Sequence, residues 1–596
     1  MKGKFIKSVA AIGAAATLAV GFGGCNLPGN HGGGDGDNTD KVDSFTTYTA
    51  STIGFTDNSG TSQSYNTGLY YRNDLTLDMG DPMLLYDNET FYAYGTRAGT
   101  NIEVFTSMNL SDWSSASVAF NPASNSWSRT SIWAPDIHKI GDKWYLYYTA
   151  SYTEPGASKD NCQIGVAVAD DPAGPYVQYV GLDADNNQIT VDKPPFYWKN
   201  HTILDQHVFV DDDGEMYMFF SYDTNYAQPD DLGYYPGLNN GTAEIWGVKM
   251  KDPVTWDFST LTPLISAGYK KYSDKIAEKE ANKSNGKNRT IEWETWSPSF
   301  NEPMECVEGP YMIKRDGKYF LTYCANSFVD MEYSVGYAVA DTPLGAYEKP
   351  NDTYLQNMLV GVPAARGHYT SNRYKGFMTG TGHASICKVG DEYMFGYHAH
   401  YNRDEWGALQ DIYGYKSEWR ALGVDYLLFD EQGMPYTNGP TYSLQKLPDA
   451  VTGYTNLALG AQIKGEGTNI NYLNDNYTNR AIRTEEVAKE AQFAAGKRNI
   501  EIKFDSPVYV KAVNIFNSYD YEKATTFIDQ IDFGDNKGIV NLVFNSKYID
   551  REQEFIYPHS AYNIELDSEV RTDRIVITID CSHDFALGEI EVIGRK

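Results

Sequence analysis

Four residues suited to acid–base chemistry stand at matching places in a chain of 596 residues: Asp81, Asp205, Glu308 and His383. Each lies at the start of a segment that recurs along the chain. Cleaving a glycosidic bond requires two carboxyl groups, one protonated for the departing oxygen and one ionised to attack or to deprotonate water. A third acid nearby raises the proton affinity of the donor by like-charge repulsion. Asp81, Asp205 and Glu308 supply that number. Gathering three acids at a buried axis is costly to desolvate unless they serve chemistry, whereas Asp87, Asp142, Asp213, Asp316 and Asp391 sit in turns and are explained as turn formers.

The segments that must position these acids read DPMLLYDNETFYAYGT from Asp81, APDIHKIGDKWYLYYTA to Ala150, DQHVFVDDDGEMYMFFS from Asp205, EGPYMIKRDGKYFLTYCA from Glu308 and GHASICKVGDEYMFGYHA from Gly382. In each, an alternating strand enters a turn rich in Asp, Asn and Gly and returns as a strand of Tyr, Phe, Trp and Leu, the pattern of a hairpin. Five such units predict a radial all-β body, a five-bladed propeller over residues 70–450, with the leading residues near the mouth of its axis. The interval before Glu308 is the longest and contains a Lys-, Glu- and Asn-rich stretch, Lys270 to Arg289, read as a surface loop or short helix overhanging one face. Residues Gly433 to Pro448 read as a linker or closing segment. Alternating strands then resume at Asn499 to Phe504, Val508 to Phe516 and Arg574 to Ile579, which predicts a β-sandwich over residues 451–596.

A formal net charge of −30 argues against a nucleic-acid partner, and 47 Tyr suit a neutral, polyhydroxylated ligand. Lys2, Lys4 and Lys7 precede an apolar run from Val9 to Val20 and then Phe22-Gly23-Gly24-Cys25, so residues 1–25 read as an export signal. The last four resemble a bacterial lipobox, with Phe22 in place of the usual Leu, and the alternative is a secretory peptide with an incidental Cys25. Residues 26–69 read as a flexible tether and lead-in, so membrane association is expected only through a lipid anchor. The remaining cysteines, Cys162, Cys306, Cys324, Cys387 and Cys581, are scattered and odd in number, which excludes a disulfide framework and leaves at most one pair among the blades.

From about residue 70 to 430 the chain resembles glycoside hydrolase family 43, the inverting five-bladed propellers that degrade arabinan and xylan. The resemblance is carried by Asp81-Pro82, by LDQHVFVDDDG around Asp205, by Glu308-Gly309-Pro310 and by GTGHAS around His383. It implies that Asp81 is the general base, Glu308 the general acid and Asp205 the residue that modulates the acid, with Gln206 where the family has Pro. It further implies an axial His383 near a calcium ion, Arg420 of WRALGVD facing the site, and Trp133 of WAPDI against the sugar. Trp133 serves either sugar stacking or inter-blade packing, Asp136 either the pocket or the bracing of its blade, and His383 either an ion or a hydrogen bond at the axis. Glu305, in a Glu-Cys pair like that of invertase-type propellers, is the rival acid. The strings NLALGAQIKGEG from Asn456 and ALGEIEVIG from Ala586 resemble discoidin-like modules, which implies a jelly roll and a carbohydrate-binding role.

The expectation is an exported bacterial glycosidase, secreted or held at the cell surface as a lipoprotein. It would remove arabinofuranosyl or xylosyl units from plant hemicellulose or pectin side chains without an organic cofactor. An endo-acting arabinanase is one alternative, and a non-catalytic carbohydrate-binding propeller is the alternative from another class.

Overall fold

The computed structural model describes residues 42, 44–48, 68–73, 77–155, 160–224, 243–280, 289–295, 305–330, 332–350, 357–361, 378–401, 420–441, 444–478, 489–518, 523–525, 527–535, 537–543 and 561–596. The expected export signal, Cys25 and most of the expected tether fall outside them. Five four-stranded antiparallel sheets, each in simple sequential order, make the blades. Their innermost strands are Gly80–Asp87, Trp133–Ile140, Ile203–Val210, Val307–Arg315 and Met378–Val389. Each repeat read from the sequence is the inner hairpin of one blade. The two outer strands carry less regular sequence and are held by packing into a shared core, to which Val104, Phe120, Ala167, Val335 and Leu359 belong together with Met83, Ile137 and Ile386 of the innermost strands.

All five inner strands break register at one equivalent point. Between Gly80 and Met83, Trp133 and Asp136, Leu204 and His207, Glu308 and Tyr311, and Gly382 and Ser385, three residues advance against two on the partner strand. This is a β-bulge, repeated once per blade. The bulged residue takes a positive φ every time: Asp81 51°, Ala134 47°, Asp205 54°, Gly309 60° and His383 46°. Four of the five are not glycine, and each such left-handed residue costs roughly 1–2 kcal/mol. The surrounding sheet holds them there, and the fivefold bulge sets the floor of the axial mouth.

The closing segment does close the ring. Pro435–Tyr436 completes the fifth sheet, and Gln445–Lys446 pairs with Tyr70–Tyr71. The polar stretch before Glu308 contains a helix, Tyr272–Glu280, but it is not a solvated overhang: Lys275 and Glu278 are buried, and Lys275 forms an ion pair with Glu244. All five cysteines of the described residues are free, so no blade pair is bridged.

The C-terminal unit is a β-sandwich built around two long paired strands, Gly496–Asn517 and Ala561–Cys581, over a core that includes Ile500, Val513, Ile564, Ile577 and Val592. Part of the lead-in belongs to it. Phe45–Tyr48 pairs with Asn563 to Leu566, its two Thr and two aromatic residues all being types that favour an extended strand. The sandwich also rests on the propeller: Leu69, Tyr70 and Leu444 bury against Ala512 and Ile593, and Tyr70 donates its hydroxyl hydrogen to Asn514 Oδ1 at 2.7 Å.

Candidate active site

The bulges deliver Asp81, Asp205 and His383 to one cavity of about 720 Å³. Glu308 arrives differently. It occupies the position before the bulge, equivalent to Trp133 in blade two, and Gly309 takes the left-handed turn beside it. A Cβ at Gly309 would stand 3.1 Å from the His383 ring, so glycine permits both the conformation and the close approach of blade five. Trp133, Arg420, Thr96 and Phe328 complete much of the wall.

Asp81 is held from several sides. Its Oδ1 accepts Arg420 Nη1 at 2.8 Å and lies 3.4 Å from His383 Nδ1, while its backbone N–H donates to His398 Nδ1 at 3.2 Å. Arg420 can lie across the start of blade one only because residue 80 is glycine, where a Cβ would come within 2.0 Å of the guanidinium carbon. Burial pushes the Asp81 carboxyl up, but the Arg420 charge, then His383 and a hydrogen bond from Thr96, hold it below the ordinary range. It is therefore ionised.

Glu308 is tuned the opposite way. Burial pushes its carboxyl up to about 7, opposed by the Tyr333 hydrogen bond and reinforced by the nearby negative charge of Asp81. Tyr333 donates to Glu308 Oε1 at 2.7 Å. Asp205 is raised well above its usual range by burial, then by repulsion from Glu308 and Asp81. Asp205 and blade four are linked through Ser221, whose hydroxyl donates to Asp205 Oδ2 at 3.3 Å and accepts the Gly309 N–H at 3.1 Å. One clamped carboxylate thus faces two carboxyls that favour keeping a proton, the division of labour that acid–base cleavage needs.

Gln206, where proline is expected, does not disturb the bulge. Its amide donates to Ala134 O at 2.6 Å and accepts from Thr149 Oγ1 at 3.1 Å, tying blade three to blade two by hydrogen bonds. Glu305 is not a second acid in the cavity, since it is ion-paired with Arg289.

Asp136 does not line the cavity, which corrects its expected contact with substrate. It lies two residues beyond the bulge and faces a deeper layer of the axis. There it accepts Val208 N at 2.7 Å, with His138 Nε2 at 2.7 Å and His207 Nδ1 at 3.1 Å. Among the described residues His383 has a single carboxylate against it, and that one is taken by Arg420. This is too poor in oxygen to hold calcium, which takes six to eight oxygen ligands, without water supplying most of the shell.

Sequence reasoning missed Thr96, Tyr333, Phe328 and His398. His398 left a signal, as a polar residue inside the apolar return strand of blade five. Tyr333 left none, because it lies in a connection outside the repeated hairpin.

The profile of the glycosyl hydrolases family 43 matches residues 75–426. Over 163 residues the chain is 29% identical to the extracellular endo-alpha-(1->5)-L-arabinanase of Thermotoga petrophila, an alignment that covers 24% of this chain and only 33% of that enzyme. Over 369 residues it is 23% identical to beta-D-galactofuranosidase xynD of Aspergillus niger, covering 59% of this chain and 80% of that one. The crystal structure of a thermostable family-43 glycoside hydrolase aligns with a TM-score of 0.46 and 24% identity, over 63% of this chain and 98% of that chain.

Proposed function

Because this chain belongs to the glycosyl hydrolases of family 43, we propose that it is an inverting glycosidase removing arabinofuranosyl or xylosyl units from plant hemicellulose or pectin side chains. The observation that carries this reading is the opposed tuning of two acids in one cavity: Asp81 held ionised by Arg420, and Glu308 pushed up to about 7.

In the proposed reaction, Asp81 removes a proton from water as that water attacks the anomeric carbon. Glu308 gives its proton to the departing glycosidic oxygen on the other face, and the configuration inverts in a single displacement. Arg420 keeps Asp81 ionised and fixes its orientation. Asp205 and Glu308 repel each other when both are ionised, so the pair retains a proton, and Asp205 modulates the acid in this way. Trp133, on the cavity wall, offers an aromatic face for a sugar ring. Named relatives include an extracellular endo-arabinanase and an extracellular exo-arabinofuranosidase, which favours arabinose-containing polymers as the first substrates to try.

The same reading includes export by the Lys-flanked apolar leader, with Cys25 as the site of lipid attachment. Radiolabelled fatty acid should enter the full chain and fail to enter Cys25→Ala.

Release of reducing sugar from arabinan, arabinoxylan and a panel of nitrophenyl glycosides tests the function. Hydrolysis of at least one arabinosyl or xylosyl substrate, lost in Asp81→Asn, is expected. Binding of the same polymers without any hydrolysis would show a lectin instead.

A further inference from the structure

Asp136, His138 and His207 form a second cluster on the propeller axis that the glycosidase chemistry does not use. We propose that these three residues bind one transition-type divalent cation, of which zinc is the natural example, and that this ion joins blade two to blade three. The ligand atoms of the three side chains all lie within 4.8 Å of one another. A carboxylate oxygen with two imidazole nitrogens is a donor set for zinc and its neighbours, which are bound at about 2.0–2.2 Å by such atoms. Calcium, a hard cation seeking oxygen, is a poor match for it.

The strands pre-arrange the site. Asp136 and His138 are two residues apart on Trp133–Ile140, hence on one face of that strand, and His207 comes from the equivalent strand of the next blade. The ring of His207 is stacked on Tyr311 at 3.8 Å, which fixes its plane. The Val208 N–H donates to Asp136 Oδ2 at 2.7 Å, the kind of outer contact that orients a ligating carboxylate. His138 keeps 19% of its side chain exposed, against 3% for His207 and 5% for Asp136, so an ion and a water ligand can enter from the His138 side. His207 stands two residues along its strand from Asp205, on the order of 7 Å at ordinary strand rise, so the ion would lie beneath the sugar cavity rather than in it.

Without an ion, the trio is a hydrogen-bonded brace between blades. Metal binding separates the two cases. The untagged full-length protein, stripped with chelator and dialysed, would be titrated with Co2+ and Zn2+, following visible cobalt absorption, metal content after equilibrium dialysis, and Tm. One equivalent of Co2+, displaced by Zn2+ but not by millimolar Ca2+, with an upward shift in Tm, is expected. His138→Gln should lose at least tenfold in affinity, along with the Tm shift, while keeping its circular dichroism and its glycosidase activity. Absence of stoichiometric binding to the folded wild type would overturn the proposal. So would equal binding by His138→Gln, which would place the ion elsewhere.

Discussion

Tyr333 donates its phenolic hydrogen to Glu308 Oε1 at 2.7 Å while its ring lies nearly parallel to that of His398, 5.4 Å away. His398 in turn accepts the backbone N–H of Asp81. One stacked pair of rings therefore connects the proposed acid to the proposed base.

Removing that hydrogen bond has a defined sign. The Tyr333 hydroxyl stabilises the ionised form of Glu308, so Tyr333→Phe should raise the pKa of the acid. The alkaline limb of the pH–rate profile, which reports loss of the proton from Glu308, should move upward by on the order of one pH unit, since a hydrogen bond to a charged group contributes about 1.5–3 kcal/mol. An unmoved or lowered alkaline limb would show that Tyr333 has only a packing role.

Arg420 governs the other limb. Its charge holds Asp81 below the carboxylate range, so Arg420→Met should raise the Asp81 pKa and carry the acidic limb of kcat/KM to higher pH. A loss of roughly 10²-fold in kcat/KM at the optimum is expected from removing a charged group that orients the base. Thermal unfolding of the variant should be measured alongside, because the partner left behind is a largely buried carboxylate.

Glu308→Gln should lose about 10²–10⁴-fold on polysaccharide and far less on aryl glycosides, whose leaving groups need little protonation. Glu305→Gln should not show that pattern, since Glu305 is ion-paired with Arg289 away from the cavity. Rescue by leaving group in the Glu305 variant instead would transfer the acid role to it.

These assignments were legible in the sequence to different depths. Asp81, Asp205 and His383 could be found because a strand–turn–strand pattern repeats and they head it. The one-residue offset of Glu308 could not, because the bulge that creates it is occupied by Asp, Ala, Asp and His in the other blades, and no residue type marks a left-handed position except the glycine at 309. Asp136 shares the alternating pattern of its strand, and composition does not tell which layer of the axis it faces. Only the placement of His207 from the next blade decides that. The lead-in strand Phe45–Tyr48 was hidden for another reason: its partner lies more than five hundred residues away.

The seam between the two units bears on what the sandwich does. Tyr70 is buried there, with its hydroxyl on Asn514. Tyr70→Ala should therefore lower Tm substantially, with a loss of roughly 3–5 kcal/mol typical of a large buried aromatic, yet leave kcat/KM on small aryl glycosides unchanged for the folded fraction. An unchanged Tm would mean that the sandwich is a loosely attached module, as the sequence reading of a separate binding domain implies.

In the proposed single displacement, water activated by Asp81 attacks opposite the bond protonated by Glu308. Proton NMR of the first-formed sugar, recorded before mutarotation, tests it most directly. The β-anomer of arabinose from an α-arabinofuranoside, or the α-anomer of xylose from a β-xyloside, is expected. First appearance of the sugar with its original configuration would mean a covalent glycosyl-enzyme and would contradict the account.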